Sequence, residues 1–254
     1  MTKNPKIGVI GVGHLAMALL EGWRRSGLPA EEILLSPRGH GRGAAMAHGH
    51  ALARDNVDLV RRVEIIFLAV RPAHAEAALS GLPWRRGQII VSACAGVSIA
   101  TLQKAAPEAE ICRIMPLTAA AIGASPTTCH PLPPEVEPLL ARLGPVIPLA
   151  AESAFEVATV SAAVYGWALE LIATSAAFAQ ANGLPAETAR ALNAATFTAA
   201  GRLAGQPGAD LSLLLSELVT PGGITERGLD VLSAGAVPET WTLASQAVLD
   251  KLTR

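Results

Sequence analysis

Two glycine-containing stretches carry residue types suited to binding anionic ligands. In the first, Gly11, Gly13 and Ala16 form a Gly-x-Gly-x-x-Ala pattern between an apolar run and a helix-like segment. The first glycine permits a tight turn, the second lets the backbone approach a pyrophosphate, and the small third residue lets the helix pack close to a sheet. The pattern predicts that a dinucleotide binds at the N-terminus of the helix that follows.

The residues after the second strand-like run bear on which dinucleotide binds. An NAD site usually has Asp or Glu at this position, to bind the ribose 2′-hydroxyl. This chain has Ser36 and Arg38 in "LLSPRGHGR" and no acidic residue. A hydroxyl and a guanidinium suit a 2′-phosphate, so the sequence favours NADP(H) over NAD(H). The alternative is that Arg38 and Arg42 are solvated loop charges.

The second stretch, "LVTPGGITERGL", interrupts helical sequence near the C-terminus. Its structural interpretation is a helix that stops and restarts, with Thr220 or Thr225 as a cap. Free N–H groups at a new helix N-terminus also bind anions, and a substrate carboxylate is an anion. The stretch is therefore predicted to hold a substrate, while Thr225 offers a hydroxyl.

The helical half lacks the usual acid–base residues. All six histidines precede it, and its one lysine is Lys251. Dehydrogenases that oxidise an alcohol usually need a His or Lys near the reacting carbon. Hydride transfer to an imine needs less help, since an iminium is already electrophilic. No spacing of His, Cys and carboxylate residues suggests a metal, so none is predicted.

Strands and helices must position these residues, and the first half alternates between the two. Strand-like runs are "KIGVIGVG", "EEILLSPR", "EIIFLAVRP", "QIIVSACAG" and "AEICRIMP", with "PVIPLA" as one further candidate. Such alternation predicts a Rossmann-like α/β domain with a doubly wound parallel sheet over residues 1–150. From Glu152 onward only helical patterns occur, so residues 151–254 are predicted to form an all-α domain.

Composition narrows the class of protein. The 254 residues are 51% hydrophobic and 16% charged with net charge −1, which argues against disorder and against nucleic acid as a partner. The N-terminus does not read as a signal peptide, and Cys94, Cys112 and Cys129 read as reduced thiols, so a cytoplasmic protein is expected. The apolar stretch 157–181 contains Glu170, which favours a buried helix of an oligomer over a membrane span.

Five blocks together resemble the pyrroline-5-carboxylate reductase family: "IGVIGVGHLAMALLEG", "IIFLAVRP", "IIVSACAGVSIATLQK", "CRIMP" and "TPGGIT". They occur in the family's order and span nearly the whole chain. The resemblance implies NAD(P)H-dependent reduction of 1-pyrroline-5-carboxylate to proline. It also implies a C-terminal dimerisation domain that intertwines with a second subunit, and an active site where the cofactor domain meets the helices of the dimer.

The resemblance also assigns roles to residues. It implies a cofactor site in which the members contact the pyrophosphate, the adenosine phosphate, the strand-end loop or the nicotinamide, namely Gly11, Gly13, His14, Leu15, Ser36, Arg38, Ala69, Val70, Arg71, Pro72, Ala93, Cys94 and Ala95. It implies a loop for the substrate carboxylate made of Thr220, Gly222, Gly223 and Thr225. Within this loop, Thr225 matches the hydroxyl that hydrogen-bonds the imine nitrogen or assists its protonation.

The chain departs from the family pattern at two places. Met-Pro-Asn-Thr-Pro is replaced by "MPLTA", which puts Leu117 in place of the asparagine. The Ser-Gly-Ser-Gly-Pro turn reads roughly "AAVYG" at 162–166, so Val164, Tyr165 and Trp167 should fill or reshape the space beside the substrate. Tyr165 is either an alternative donor to the imine or a buried core aromatic.

These departures leave three functions open. The first is reduction of pyrroline-5-carboxylate, the second is reduction of a different cyclic or opine-type imine, and the third is a catalytically weak NADP(H)-binding regulatory protein. A β-hydroxyacid dehydrogenase is less favoured, because those enzymes use an interdomain-helix lysine and none occurs between Glu152 and Gly183.

Overall fold

A computed structural model describes residues 6–253 and shows an eight-stranded sheet followed by helices. The strands are β1 (Ile7–Ile10), β2 (Ile33–Leu35), β3 (Ala51–Leu52), β4 (Ile65–Leu68), β5 (Ile89–Ser92), β6 (Glu110–Met115), β7 (Thr127–His130) and β8 (Val146–Pro148). Their order in the sheet is β3-β2-β1-β4-β5-β6-β7-β8. The first six are parallel, which confirms the doubly wound, Rossmann-like prediction.

The helices of this part of the chain connect the parallel strands. They are α1 (His14–Arg25), α2 (Gly41–His48), α3 (Asn56–Arg62), α4 (Ala75–Leu79), α5 (Ile99–Ala105) and α6 (Glu137–Ala141). The sheet carries a buried apolar cluster on each face, one built around Trp23 and Phe67 and the other around Leu59 and Ile90. Both faces of a parallel sheet are covered in this way, so its strands are apolar throughout.

The strand order creates a crevice at one edge of the sheet. Strand β1 lies between β2 and β4. The chain adds β2 and β3 on one side of β1 and then crosses over to add β4, β5 and β6 on the other side. The carboxyl ends of parallel strands meet at a single edge, and a ligand crevice opens where the order reverses. Gly11, Ser36, Ala69 and Ala93 each directly follow one of these strands, so the fold places all four at that edge.

Three strands differ from the sequence prediction. The two-residue β3 was not predicted, because a run this short has no readable alternation. Strand β2 begins at Ile33, since the two preceding glutamates lie in a 3-10 helix, Ala30–Glu32. Strand β7 was also missed: its sequence, Thr-Thr-Cys-His, is neither strongly apolar nor alternating.

Strand β7 is the exception to the parallel arrangement, because it runs antiparallel to β6. The connection after β6 contains only a short 3-10 helix, Thr118–Ile122. A parallel return needs a crossover of a dozen or more residues, so this connection sends the chain back antiparallel. Strand β8, which was predicted at "PVIPLA", pairs parallel with β7.

The C-terminal part is helical, as predicted. Its helices are α7 (Phe155–Ala181), α8 (Ala186–Ala204), α9 (Leu211–Leu218), α10 (Ile224–Ala234) and α11 (Val237–Leu252). The chain divides into two compact units, one that extends to Ala162 and includes Leu252, and one that comprises Ala163–Lys251. Helix α7 therefore begins in the first unit and continues into the second.

The second unit buries almost none of its own side chains. Of residues 163–251, Ala189 alone is classed as buried, whereas Phe178, Leu192, Leu213 and many other apolar side chains are exposed. By length and composition, the stretch Glu152–Ala181 is apolar enough to cross a membrane. Helices with this much exposed apolar surface need a covering partner to be stable in water.

Candidate active site

The turn between β1 and α1 is set by a close approach of two backbone segments. Gly11 has φ +89°, and a Cβ there would lie 2.8 Å from the carbonyl oxygen of Ala69 and 2.6 Å from a methyl of Val70. Only glycine tolerates both the left-handed conformation and this contact. The turn after β1 is thus packed directly on the turn after β4, as a nucleotide loop at the sheet edge requires.

The N-terminus of α1 is open to a ligand. Gly13 is its N-cap residue with extended backbone, no side chain caps the helix, and the first turn has no acidic residue. A Cβ built on Gly13 would meet no atom within 4 Å. Since the first N–H groups of a helix are unpaired and carry partial positive charge, this opening fits a pyrophosphate. His14 is exposed and Leu15 half-buried at the same turn.

A pocket of about 270 Å³ lies beside this turn. Its lining joins the end of β1 with residues that follow β1, β2, β3 and β4, namely Ile10, Gly11, Ser36, Arg38, Asn56, Val70, His74, Ala77 and Ala78. Ser36 is buried, and its Oγ lies 3.0 Å from Asn56 Oδ1 and donates to it. The structure therefore brings four of the predicted cofactor residues together: Gly11, Ser36, Arg38 and Val70.

A second pocket, of about 470 Å³, shares Arg38 and Asn56 with the first and adds Arg54 and Asp55. Asp55 is already engaged, because its Oδ1 accepts a hydrogen bond of 2.8 Å from the N–H of Asp58 and so caps α3. The exposed Arg54 lines this second pocket together with Arg38, and its Nη2 lies 3.6 Å from Asp58 Oδ1. Arg38 lines both pockets, which could accommodate an adenosine group and an adjoining phosphate.

Sequence reasoning missed Arg54, Asn56 and His74. The first two follow β3, so their position at the sheet edge could be inferred only after that strand had been recognised. The signal for His74 was stronger, since it lies three residues after Arg71 in a strand-end loop that was predicted. Arg71 and Pro72 themselves are exposed and begin the 3-10 helix Pro72–His74, and neither lines these two pockets.

The loop after β5 is held in place by a buried thiol. Cys94 Sγ lies 3.4 Å from the carbonyl oxygen of Val70, and the Cys94 N–H donates to Ser92 Oγ at 3.3 Å. Burial raises the pKa of the Cys94 thiol, and the hydrogen bonds that it shares with Ser92 and Val70, together with the positive charge of Arg113, oppose that rise. Cys94 thus packs the β5 loop against the β4 loop as a neutral thiol. Its neighbours Ala93 and Ala95 are half-buried.

The Pro-Gly-Gly stretch forms a tight turn that starts α10. The N–H of Gly223 donates to the carbonyl oxygen of Thr220 at 2.8 Å, and Gly222 has φ +75°. Pro at the second position and a positive-φ glycine at the third suit a type II turn. Gly223 is the N-cap residue and no side chain caps it, so the prediction that Thr220 or Thr225 serves as the cap is wrong.

A carboxylate that was not predicted lies at this turn. Glu226 Oε2 accepts a hydrogen bond of 2.6 Å from the N–H of Gly222. Glutamate at the third position of a helix commonly satisfies an N–H just before the helix. The turn therefore holds one anionic group of its own, while Thr220 and Thr225 are exposed beside it.

Tyr165 lies within an uninterrupted α7, which runs straight through the stretch 162–166. Its side chain is half-buried, and that of Trp167 packs edge-to-face on Trp241 of α11 with ring centroids 5.3 Å apart. The aromatic pair ties α7 to α11 within the second unit. Among residues 6–253, no three His, Cys, Asp or Glu residues are grouped so that they could hold a metal ion.

Comparison with protein families covers both parts of the chain. Residues 6–96 match the family described as NADP oxidoreductase coenzyme F420-dependent, and residues 152–254 match pyrroline-5-carboxylate reductase dimerisation. The first match includes the β1–α1 turn and both pockets. The second includes every helix from α7 to α11.

Individual relatives match over almost the full length. The chain is 31% identical over 249 residues to pyrroline-5-carboxylate reductase 3 of Danio rerio, with 91% of this chain and 84% of that protein covered. It is 28% identical to pyrroline-5-carboxylate reductase 2 of Bacillus subtilis, with 89% and 86% covered. A crystal structure of Plasmodium falciparum pyrroline carboxylate reductase with NADP bound has a TM-score of 0.88 at 22% identity, with 100% and 98% covered.

Proposed function

Since the chain belongs to the pyrroline-5-carboxylate reductase family and is thus an NAD(P)H-dependent oxidoreductase acting on C=N bonds, we propose that it reduces 1-pyrroline-5-carboxylate to proline with NADPH. The observation that carries the proposal is the open N-terminus of α1 beside the pocket lined by Ser36 and Asn56. When bound there, NADPH would supply the hydride. The protein's own part is to hold the cofactor and to position the imine.

The residues of the pocket support NADPH over NADH. Arg38 and Arg54 offer two guanidinium groups, and Ser36 offers a hydroxyl next to Asn56. Guanidinium groups recognise phosphate through paired, charge-assisted hydrogen bonds. The nearby carboxylate of Asp55 caps α3 through its Oδ1. We therefore assign the 2′-phosphate to Ser36, Arg38, Arg54 and Asn56.

The remaining cofactor residues follow from the family resemblance. Gly11, Gly13, His14 and Leu15 would hold the pyrophosphate at the α1 N-terminus. The loops Ala69–Pro72 and Ala93–Ala95 would lie along the nicotinamide half, since both follow strands whose carboxyl ends share the same sheet edge.

At the substrate end, we propose that Thr220, Gly222 and Gly223 bind the imine substrate and that Thr225 hydrogen-bonds its nitrogen. Thr225 is the second residue of α10, so its hydroxyl is presented by a rigid helix start. Tyr165 is the alternative donor. The amine product would take its remaining proton from solvent, because the second unit offers no histidine and no lysine apart from Lys251.

A second copy of the chain is the proposed partner, in a cytoplasmic homodimer or higher oligomer. The match of residues 152–254 to a dimerisation family supports this, as does a second unit with a single buried side chain. Helix α7 contains Glu170, whose charge would be costly within a lipid core. A second copy of the chain would bury the apolar surface of these helices without placing Glu170 in lipid.

Oxidation of NADPH, measured over a panel of cyclic imines, tests the proposed function. We expect turnover with 1-pyrroline-5-carboxylate and a lower rate with NADH as the reductant. Turnover on another imine alone would replace the substrate. Tight NADPH binding without turnover on any imine would favour the catalytically weak regulatory protein.

One observation favours a second candidate, an imine without a carboxylate. Glu226 already occupies the Gly222 N–H, and a substrate carboxylate at the same turn would meet a like charge. Comparison of 1-pyrroline with 1-pyrroline-5-carboxylate decides between the two. If the carboxylated substrate is disfavoured, Glu226→Gln should improve its kcat/KM by about tenfold and leave 1-pyrroline nearly unchanged. A matched change at Asp230, one turn further along α10, should alter neither value.

A further inference from the structure

The loop that follows β5, residues 93–98, is held at both ends. Near its start, Cys94 Sγ lies 3.4 Å from the carbonyl oxygen of Val70, which lines the pocket beside the β1–α1 turn. At its end, the N–H of Ile99, the first residue of α5, donates a hydrogen bond of 2.7 Å to Glu152 Oε1. The loop is thus joined to the pocket proposed for the cofactor at one end and to Glu152 at the other.

The hydrogen bond from Ile99 meets a need that α5 cannot meet itself. The first N–H groups of a helix have no carbonyl partner within that helix. Ser98 is the N-cap residue, but its Oγ accepts from the N–H of Thr101 at 3.2 Å and so serves a different group. Glu152 therefore holds the point at which α5 begins, and with it the end of the loop 93–98.

Glu152 is itself held by a buried guanidinium of β6. Arg113 is 2% exposed, and its Nη1 donates to the same Glu152 oxygen at 3.0 Å, while its Nη2 donates to Glu156 Oε1. All three residues belong to the first compact unit. A guanidinium this buried needs such partners in place of water, so Glu152 has little freedom to move. One carboxylate oxygen thus bridges β6 and α5, whereas Glu156 shares the guanidinium alone.

We propose that Glu152 is a positioning residue for the nicotinamide half of the cofactor, because it fixes the loop 93–98 by holding the first N–H of α5. The inference rests on the proposed function, which places Ala93–Ala95 beside the nicotinamide. A loop with a fixed end presents one backbone surface to the ring. A loop released from Glu152 must be ordered when the cofactor binds, and the entropy lost in that ordering opposes binding. Glu152 acts through the backbone of α5 and is not a catalytic residue.

The test compares two ligands by calorimetry on the full chain. NADPH has a nicotinamide half, whereas adenosine 2′,5′-bisphosphate has only the adenosine and phosphate part. Glu152→Ala removes the acceptor of the Ile99 N–H, so the Kd of NADPH should rise about fivefold while the Kd of the bisphosphate stays the same. Glu152→Gln keeps a carbonyl oxygen at the same place and should recover most of the affinity for NADPH.

Glu156→Ala is the matched control, because it removes the other carboxylate from Arg113 and leaves the hydrogen bond of Ile99 in place. The ratio of the two Kd values should stay at its wild-type value in this variant, even if the Tm falls.

A change at the donor tests the same hydrogen bond without altering the ion pair. Ile99→Pro removes the N–H, and proline is well tolerated at the first position of a helix, so this variant decides the question if Glu152→Ala folds poorly. It should weaken NADPH selectively, as Glu152→Ala does. Ile99→Val retains the N–H and should retain the wild-type ratio.

Three results would overturn the inference: an unchanged Kd for NADPH in Glu152→Ala and Ile99→Pro, equal weakening of both ligands, or the same selective loss in Glu156→Ala. The measurement needs no imine, so an incorrect substrate assignment leaves it intact. Failure of the wild-type protein to bind either ligand would instead overturn the proposed function itself.

Discussion

At the scale of single residues, the pocket proposed for the cofactor combines predicted and unpredicted side chains. Ser36 and Arg38 could be read from the sequence because they follow a strand and no acidic residue accompanies them. Asn56 could not, since it looks like the ordinary start of a helix capped by Asp55. Its contact with Ser36 arises from the pairing of β2 with the short β3. This pairing is tertiary structure and is not visible in the local sequence.

The charge of Arg38 should decide which cofactor is preferred. Arg38→Ala is expected to raise the KM for NADPH about tenfold or more while the KM for NADH changes little, because only NADPH has the phosphate that pairs with the guanidinium. Initial rates with both cofactors provide the measurement. Arg42→Ala is the matched control, since Arg42 is an exposed residue of α2 outside both pockets. Equal effects of Arg38→Ala on the two cofactors would contradict the assignment.

The hydroxyl of Thr225 should matter to turnover and not to cofactor binding. Thr225→Val keeps the volume of the side chain and removes its hydrogen bond, so kcat/KM for the imine should fall about tenfold or more while the Kd for NADPH stays the same. Thr225→Ser should recover most of the activity. Wild-type turnover in the valine variant would remove Thr225 from the chemistry and leave Tyr165 as the donor to test.

At the scale of secondary structure, local patterns predicted most elements, and tertiary context decided the others. Only helical patterns were predicted from Glu152 onward, and helices α7 to α11 confirm this, with prolines and glycines in the connections between them. Strands β1, β4, β5 and β6 were also predicted from local sequence, because each is a short apolar run. Strand β7 and its antiparallel direction were not accessible, because its pairing depends on a short connection and on neighbouring strands. The hydrogen bond between Glu226 and the turn before α10 was not predicted, because it depends on the conformation that the turn adopts at Gly222.

The contact between the β1 and β4 turns should make Gly11 indispensable. Gly11→Ala forces a methyl group against the Ala69 carbonyl and requires a left-handed conformation that alanine disfavours. We expect lost NADPH binding and a Tm lowered by several degrees, as for a change of about 1–3 kcal/mol in a strained turn. Gly43→Ala is the contrasting control. It adds a methyl to open space within α2, and should leave binding unchanged and stability unchanged or slightly higher.

At the scale of the whole molecule, the two units differ in how much of their apolar surface is exposed to water. The first has a buried apolar cluster on each face of its sheet. The second presents apolar side chains along several helices and has almost no interior within one chain. The sequence indicated an oligomer from the apolar stretch in α7, but which side chains remain uncovered depends on how the five helices pack.

A charge placed on the second unit should therefore break the oligomer. Phe178 lies on α7 and is 72% exposed in the single chain, so Phe178→Asp should convert the dimer to monomers or unfold the helical unit, because a buried charge without a partner is costly. Light scattering and sedimentation report the mass.

Met46→Asp is the matched control: Met46 is 89% exposed but lies on α2 of the first unit, so this variant should keep the wild-type mass. A Phe178→Asp variant that keeps both its mass and its Tm would place the interface elsewhere. A lower molecular mass in both variants would mean that the interface between copies includes the first unit. If Phe178→Asp is monomeric and still binds NADPH, the first unit holds its cofactor without the partner.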